Sequence, residues 1–329
     1  MQKSKGAIVE ELLNVQNLEV HFPIKQGILA RTTSYVHAVD GVSFTLHRGE
    51  ILGIVGESGC GKTTTGFAII RLVEPTGGKV LFQGDDLAGM TDAQMKPLRQ
   101  KLQIIFQDPY SSLNPRMTLA RILAEPMNIH GRYQGAEQKE RIAHLLEIVG
   151  LKPEHQTRYP HQFSGGQRQR IGIARALCLD PEVIIGDEPV SALDVSIQAQ
   201  IINLLLDLQA QFHLSYIIIS HDLSIVEHLC DRILVMYLGK LVEIASYHDL
   251  YSNPKHPYTQ ALLSAIPSPN PKTEKKRMIL TGEIPSPIHP PAGCRFHPRC
   301  PRRMDQCNQV EPQLHEHGQG HIVACHLYE

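Results

Sequence analysis

Eight residues, Gly56-Glu57-Ser58-Gly59-Cys60-Gly61-Lys62-Thr63, constrain the fold of this 329-residue chain more than any other segment. A glycine-rich loop of this kind cradles phosphate only where it leaves a strand and enters a helix, because backbone amides and the positive end of the helix must converge on one anion. Both neighbours are legible. Ile51 to Val55 is a short apolar run suited to a buried strand, and a helix begins near Lys62. In such a loop the glycines allow a tight turn and close approach to the anion, Lys62 reaches the β and γ phosphates, and Thr63 ligates Mg²⁺, with Thr64 beside it in the same nucleotide-binding set.

The segments around this loop alternate short apolar runs with amphipathic stretches, the pattern of parallel strands covered by helices. Val183 to Ile185 and Tyr216 to Ile219 read as further buried strands, each followed at once by polar residues, as expected where ligands gather at the carboxyl ends of strands. Val36 to Leu46 alternates like an antiparallel strand, so the sheet is expected to be mixed. Between Asp108 and Asp180 the strand signal stops, while Ile142, Leu145, Leu146 and Val149 form one helical face ending at Gly150, which predicts a helical insertion. Asp194 is a good cap for a helix over Val195 to Leu208. No solenoid-type repeat is present.

Three further groups carry chemistry. Asp187-Glu188 follows the apolar run Val183 to Gly186, so both carboxylates emerge at a strand's end; Asp187 is placed to hold Mg²⁺ through water and Glu188 to polarise an attacking water. His221 follows Tyr216 to Ile219 and could contact the γ-phosphate and that water. Gln107, after Leu102 to Phe106, could touch Mg²⁺ or the water. Each of the last two is also compatible with a structural role.

The order of Gly56 to Thr63, Gln107, Ser164-Gly165-Gly166-Gln167, Asp187-Glu188, Ser191-Ala192-Leu193-Asp194 and His221 resembles an ABC transporter ATP-binding subunit over roughly residues 12 to 265. The resemblance implies an α/β P-loop ATPase with a mixed sheet core, an antiparallel β subdomain and a helical subdomain at about 108–180, spanning residues 1–253 and followed by a C-terminal extension over 254–329. It implies ATP and Mg²⁺ as ligands and a head-to-tail pair of such domains, in which Ser164 to Gln167 of one chain meet the ATP held by the other. A serine hydroxyl and glycine amides opening a helix make a sensible second anion site. The resemblance also assigns Asp108 to Ala120 to a groove for a membrane subunit's helix, Asp194 to communication across the dimer, and an aromatic to the adenine; Tyr35 is the candidate, with Phe22 the alternative. Gly186 departs from the larger apolar residue or alanine more usual before such an aspartate, and Cys60 is unusual inside the loop. Alkylation of Cys60 is expected to block ATP hydrolysis by adding bulk to the cradle.

His256-Pro257-Tyr258-Thr259 with Ala261 to Ile266 is similar to the extension of ATPases from oligopeptide, dipeptide and nickel importers. Composition changes at the same place: 12 of the 22 prolines lie from Pro254 onward, and Pro267 to Lys276 has a linker composition. Beyond it Cys294, Cys300, Cys307 and Cys325 are separated by five, six and seventeen residues, unlike the paired spacing of common zinc fingers. Four thiolates suit tetrahedral zinc or a four-iron cluster. The importer resemblance favours [4Fe-4S], while His297, His315, His317, His321 and His326 keep Zn²⁺ with mixed ligands open. The tail is expected to depend on its metal, having few apolar residues, with a redox-sensing role among its options.

A net charge of −1 gives no basic field to draw the whole chain to nucleic acid. No stretch approaches the roughly 18 apolar residues of a spanning helix, and no signal segment follows Met1, so the chain is expected to stay in the cytosol; the importer resemblance implies a peripheral place there, on the cytoplasmic face of a bacterial inner membrane. The partners expected are a second ABC ATPase, identical or, more in keeping with the family, a homologous chain in a heterodimer; two transmembrane permeases; and, indirectly, an extracytoplasmic substrate-binding protein. Dipeptide, longer peptide and nickel all remain as cargo. The competing class is a soluble ABC ATPase acting on ribosomes or nucleic acid, against which stand the single ATPase domain and the absence of a basic tract or base-stacking platform.

Overall fold

The structure is a computed structural model that describes residues 10–27, 31–266, 278–318 and 320–329. The start of the chain and the linker read at Pro267 to Lys276 lie outside the described residues. In chain order the first elements are β1 (Glu11–Gln26), β2 (Arg31–His47), β3 (Ile51–Val55), α1 (Lys62–Ile69), β4 (Gly77–Phe82), β5 (Asp85–Asp86) and α2 (Asp92–Leu98). They are followed by β6 (Leu102–Ile105), α3 (Leu119–His130), α4 (Ala136–Ile148), α5 (Gly165–Ala176), β7 (Val183–Asp187), α6 (Val195–Phe212) and β8 (Ser215–Ser220). The last are α7 (Leu223–Leu229), β9 (Arg232–Tyr237), β10 (Lys240–Ser246), α8 (Tyr247–Ser252), α9 (Pro257–Ser264), β11 (His315–Glu316) and β12 (Ile322–Val323). Two compact units are built from them, one from Met1–Leu12, Leu46–Glu50 and Gly89–Ile219, the other from Leu13–Thr45, Ile51–Ala88 and Ser220–Glu329.

In the first unit β6, β7 and β8 run parallel, with Leu102 opposite Val183 and Val183 opposite Ser215. Every residue of β7 and β8 is buried, which accounts for runs of Val and Ile without polar alternation. From residue 108 to 180 the regular elements are helical: α3 to α5 with short 3₁₀ turns between them. The expected face of Ile142, Leu145, Leu146 and Val149 is buried, and Gly150 follows at φ 74°, a left-handed conformation that ends the helix without a Cβ penalty. Asp194 caps α6 as its sequence position predicts, its Oδ1 accepting the Ile197 N–H at 3.0 Å.

The second unit holds a four-stranded sheet in the order β2-β1-β4-β5, where β1 and β4 pair antiparallel with Leu13 opposite Phe82. It also holds β3, parallel to β9, and the antiparallel run β9-β10-β12-β11. The tail is therefore part of a sheet. Its Phe296, 1% exposed, packs against Tyr237 and Tyr258 with ring centroids 5.2 and 5.4 Å away, and burying such a ring is worth about 2 kcal/mol. Glu243 of β10 is completely buried; its carboxylate accepts the backbone N–H groups of Lys255 at 2.7 Å and His256 at 3.0 Å and contacts His321 Nε2 at 2.7 Å. One carboxylate thus ties the start of α9 and the tail to the strand, and the tail draws protein contacts that its composition does not advertise.

Candidate functional site

β3 delivers the loop Gly56 to Thr63 to the start of α1. Gly56, Gly59 and Gly61 have φ of 154°, 77° and 106°. A Cβ on Gly56 would strike the Met236 carbonyl oxygen and the Cys60 sulfur, and one on Gly61 the Ala38 carbonyl oxygen, so the backbone itself excludes larger residues. Lys62, at the first helical position, is 6% exposed; its Nζ donates to the carbonyl oxygens of Gly56 at 2.8 Å and Glu57 at 3.0 Å. Thr63 and Thr64 follow in the first turn of α1. Ser58 and Gly59 lie at the exposed crest of the loop, whereas Cys60 is buried, and burial raises its thiol pKa despite Lys62 beside it. A reagent therefore meets Cys60 neither exposed nor as thiolate.

Two residues absent from the sequence-based set grip this loop. The Glu57 N–H donates to Tyr258 Oη at 2.8 Å, and the Glu57 carboxylate takes two bonds from Arg299, Nη1 to Oε2 at 2.7 Å and Nη2 to Oε1 at 3.1 Å. Arg299 is itself buried, with Nη1 3.4 Å from Tyr237 Oη. Tyr258 sits in the recognised His-Pro-Tyr-Thr motif; for Arg299 the sequence holds no signal, since its partner lies 242 residues away.

In the first unit the acidic pair closes β7. Asp187 is 4% exposed, and Glu188 takes a left-handed φ of 46° with its N–H on the Ile219 carbonyl at 2.9 Å. Gln107 Nε2 donates to Glu188 Oε2 at 2.7 Å, which brings two of the predicted residues together. The unusual Gly186 has a local reason: a Cβ there would lie 3.0 Å from Ile218 Cδ1 and 3.2 Å from Pro189 Cγ.

Ser164 caps α5 in a reciprocal box, Oγ accepting the Gln167 N–H at 3.4 Å and Gln167 Oε1 accepting the Ser164 N–H at 3.1 Å. Gly165 leaves ordinary room beside Leu193, but a Cβ on Gly166 would come within 2.5 Å of Ile197 Cγ2, so α5 and α6 meet through that glycine. In the segment after Gln107, Tyr110 lies under Arg168, with the guanidinium 3.9 Å from the ring centroid, and Asp108 is held below the usual carboxylate range by the Tyr110 N–H. His221 is exposed just past β8. Tyr35 on β2 and Phe22 on β1 are 48% and 41% exposed, both open enough to stack on a ligand.

Solved ATP-binding cassettes share this architecture. A structure described as a dimeric post-hydrolysis state of the ATP-binding cassette MJ0796, bound to ADP and Pi, matches with TM-score 0.64 and 27% identity over 72% of this chain and 99% of that one. The structure of cbiO1 from Clostridium perfringens, part of the ABC transporter complex cbiONQ, matches with TM-score 0.64 and 26% identity over 74% and 92%. Fold and loop together define a P-loop ATPase of the cassette type. A family profile described as ABC transporter covers residues 39–191, and one described as oligopeptide/dipeptide transporter, C-terminal region, covers 242–307. The oligopeptide transport ATP-binding protein AppF of Bacillus subtilis is 54% identical over 97% of this chain and 98% of that protein. The dipeptide transport ATP-binding protein DppF of Escherichia coli is 51% identical over 99% and 97%. The chain belongs to the ABC transporter family of ATP-binding proteins, whose members are ATPases acting with ATP and Mg²⁺.

The iron–sulfur expectation for Cys294, Cys300, Cys307 and Cys325 is corrected. The relatives that match almost the whole chain are described as transport ATP-binding proteins, and none as an iron–sulfur protein. Zinc gains no support there either: among the described residues the cysteine sulfurs do not form a group close enough to share one ion. Spacing in sequence counted the thiols correctly but carried no information on what surrounds them. Among the described residues no helix is long and apolar enough to cross a membrane.

Proposed function

We propose that this chain is the ATP-hydrolysing subunit of a bacterial importer of di- and oligopeptides, bound at the cytoplasmic face of the inner membrane. Residues 1–253 act as the cassette and 254–329 as an extension. Its partners are two permeases, a second and homologous cassette, and indirectly an extracytoplasmic substrate-binding protein. The observation that carries the chemistry is the 2.7 Å bond from Gln107 to Glu188, which joins the carboxylate read as the acceptor of a water proton to the amide read as that water's orienting group. Peptide cargo rests on AppF and DppF, and the choice between dipeptide and longer peptide belongs to the partner subunits.

The donors present fit the ligands. Glycines whose Cβ atoms would collide with backbone suit a cradle for phosphate; the Thr63 hydroxyl is a hard oxygen ligand for Mg²⁺, and the buried Asp187 carboxylate would act on that ion through water. When bound, Mg²⁺ offsets charge that develops on the β and γ phosphates. Lys62, now on two carbonyls, exchanges them for phosphate oxygens. Glu188 accepts a proton from water while Gln107 orients it, and His221 assists at the γ-phosphate. Ser164, Gly165, Gly166 and Gln167 act on the nucleotide of the partner cassette, Asp194 beside them; Tyr35 stacks on adenine. Isolation from native membranes tests this: two multispanning proteins and a second ATPase should copurify, and ribosomes or DNA in their place would overturn it.

A further inference from the structure

On β1 and β2, outside the nucleotide site, His21, His37 and Asp40 each offer one ligand atom, and these atoms lie within 4.8 Å of one another. His21 Nε2 lies 3.3 Å from Asp40 Oδ1 and 3.3 Å from His37 Nδ1, and His37 Nδ1 lies 3.8 Å from Asp40 Oδ2. We propose that His21 Nε2, His37 Nδ1 and Asp40 Oδ1 form a binding site for a tetrahedral divalent transition metal of the Zn²⁺ class, with its fourth position open to water.

The spacing discriminates among cations. Ligands about 2.0 Å from a tetrahedral ion stand about 3.3 Å apart, as both contacts of His21 do, whereas an octahedral ion with bonds of about 2.0–2.1 Å sets adjacent ligands about 2.9 Å apart. The ligand types agree, since imidazole with one carboxylate suits zinc better than magnesium or calcium.

The surroundings hold the three ligands in place. Arg295 pairs with Asp40 Oδ2, which leaves Oδ1 for the ion and fixes the carboxylate in the manner of an outer-shell partner. The backbone N–H of His37 donates to the Pro287 carbonyl and that of Asp40 to the Gly239 carbonyl, both at 3.0 Å. The side chains remain 19–31% exposed, enough for an ion to enter.

The test uses the full chain stripped by a chelator and reloaded with Zn²⁺. Wild type should hold one more equivalent than the His21→Gln/His37→Gln variant. The X-ray absorption of that equivalent should show nitrogen and oxygen at about 2.0 Å and not the sulfur shell at about 2.3 Å that the tail cysteines would give. Arg295→Gln should keep the stoichiometry and weaken binding about 10- to 100-fold. Equal zinc content in wild type and the double variant, or a purely sulfur shell at every loading of wild type, overturns the site. The wild-type spectrum decides even if a variant fails to fold.

Discussion

Replacing Arg299 with alanine removes the guanidinium that holds Glu57 through bonds of 2.7 and 3.1 Å. Bonds to charged groups are worth roughly 1.5–3 kcal/mol each, and breaking a fully buried pair costs about 3–5 kcal/mol. Arg299 is 7% exposed but Glu57 26%, so water recovers part of the loss, and about 2–3 kcal/mol of stability should go. Tyr258 still holds the Glu57 N–H and the Gly239 N–H still donates to the Cys60 carbonyl, so the phosphate loop loses part of its hold and not all of it. If about half of the loss falls on the loop, ATP affinity drops about tenfold. Urea unfolding and binding of a fluorescent ATP analogue measure the two quantities. Arg299→Lys should recover only part of each, because a point charge cannot reproduce the bidentate fork. The reasoning fails if Arg299→Ala leaves stability within about 0.5 kcal/mol and ATP affinity within about twofold of wild type.

Glu188→Gln should keep ATP binding while lowering turnover by about 10²- to 10⁴-fold, read as phosphate release in the assembled complex; near-normal hydrolysis would remove Glu188 as the acceptor. Iodoacetamide should label Cys60 slowly, since the thiol is 4% exposed and its pKa raised, and activity should fall in step with the labelled fraction by mass spectrometry; an active, fully labelled protein contradicts this. His256, buried with its Nδ1 on the Tyr258 N–H, has its pKa lowered to about 4 by desolvation. Between that value and the ordinary histidine value of about 6.5 the unfolded chain binds the extra proton, so this contribution is full at neutral pH and declines as pH falls, by about 3 kcal/mol at most. His256→Gln should flatten the decline, and an unchanged pH profile counts against it. Gly166→Ala should cost about 1–3 kcal/mol through the clash with Ile197, with Ile197→Ala relieving part of it in denaturant titrations; additive losses would place the strain elsewhere.

Local chemistry was legible wherever sequence and structure share a period. Ile51–Val55, Val183–Asp187 and the Asp194 cap follow from buried strands and helix ends, which depend on neighbours within a few residues. The phosphate loop was legible because strand, glycines and helix are contiguous. The grip of Arg299 on Glu57, the pairing of β12 with β10 and the meeting of His21, His37 and Asp40 were not, since each joins side chains whose separation leaves no periodic trace. The four tail cysteines show the opposite failure. Their number suggested a cluster, but number does not fix the distances between sulfurs, and the relatives that match almost the whole chain are not iron–sulfur proteins.

The complete burial of Glu243 bears on how this chain is made. Its amide partners at 255 and 256 follow within a few residues, but His321 is synthesised 78 residues later. Until then a nascent chain carries a carboxylate short of one partner and lacks the strand that flanks β10. Synthesis proceeds from the amino end, so the second unit closes last. Because Arg299 belongs to that same late segment, the phosphate loop reaches its fully held form only when the tail has folded back, and an unfinished chain lacks a finished ATP site.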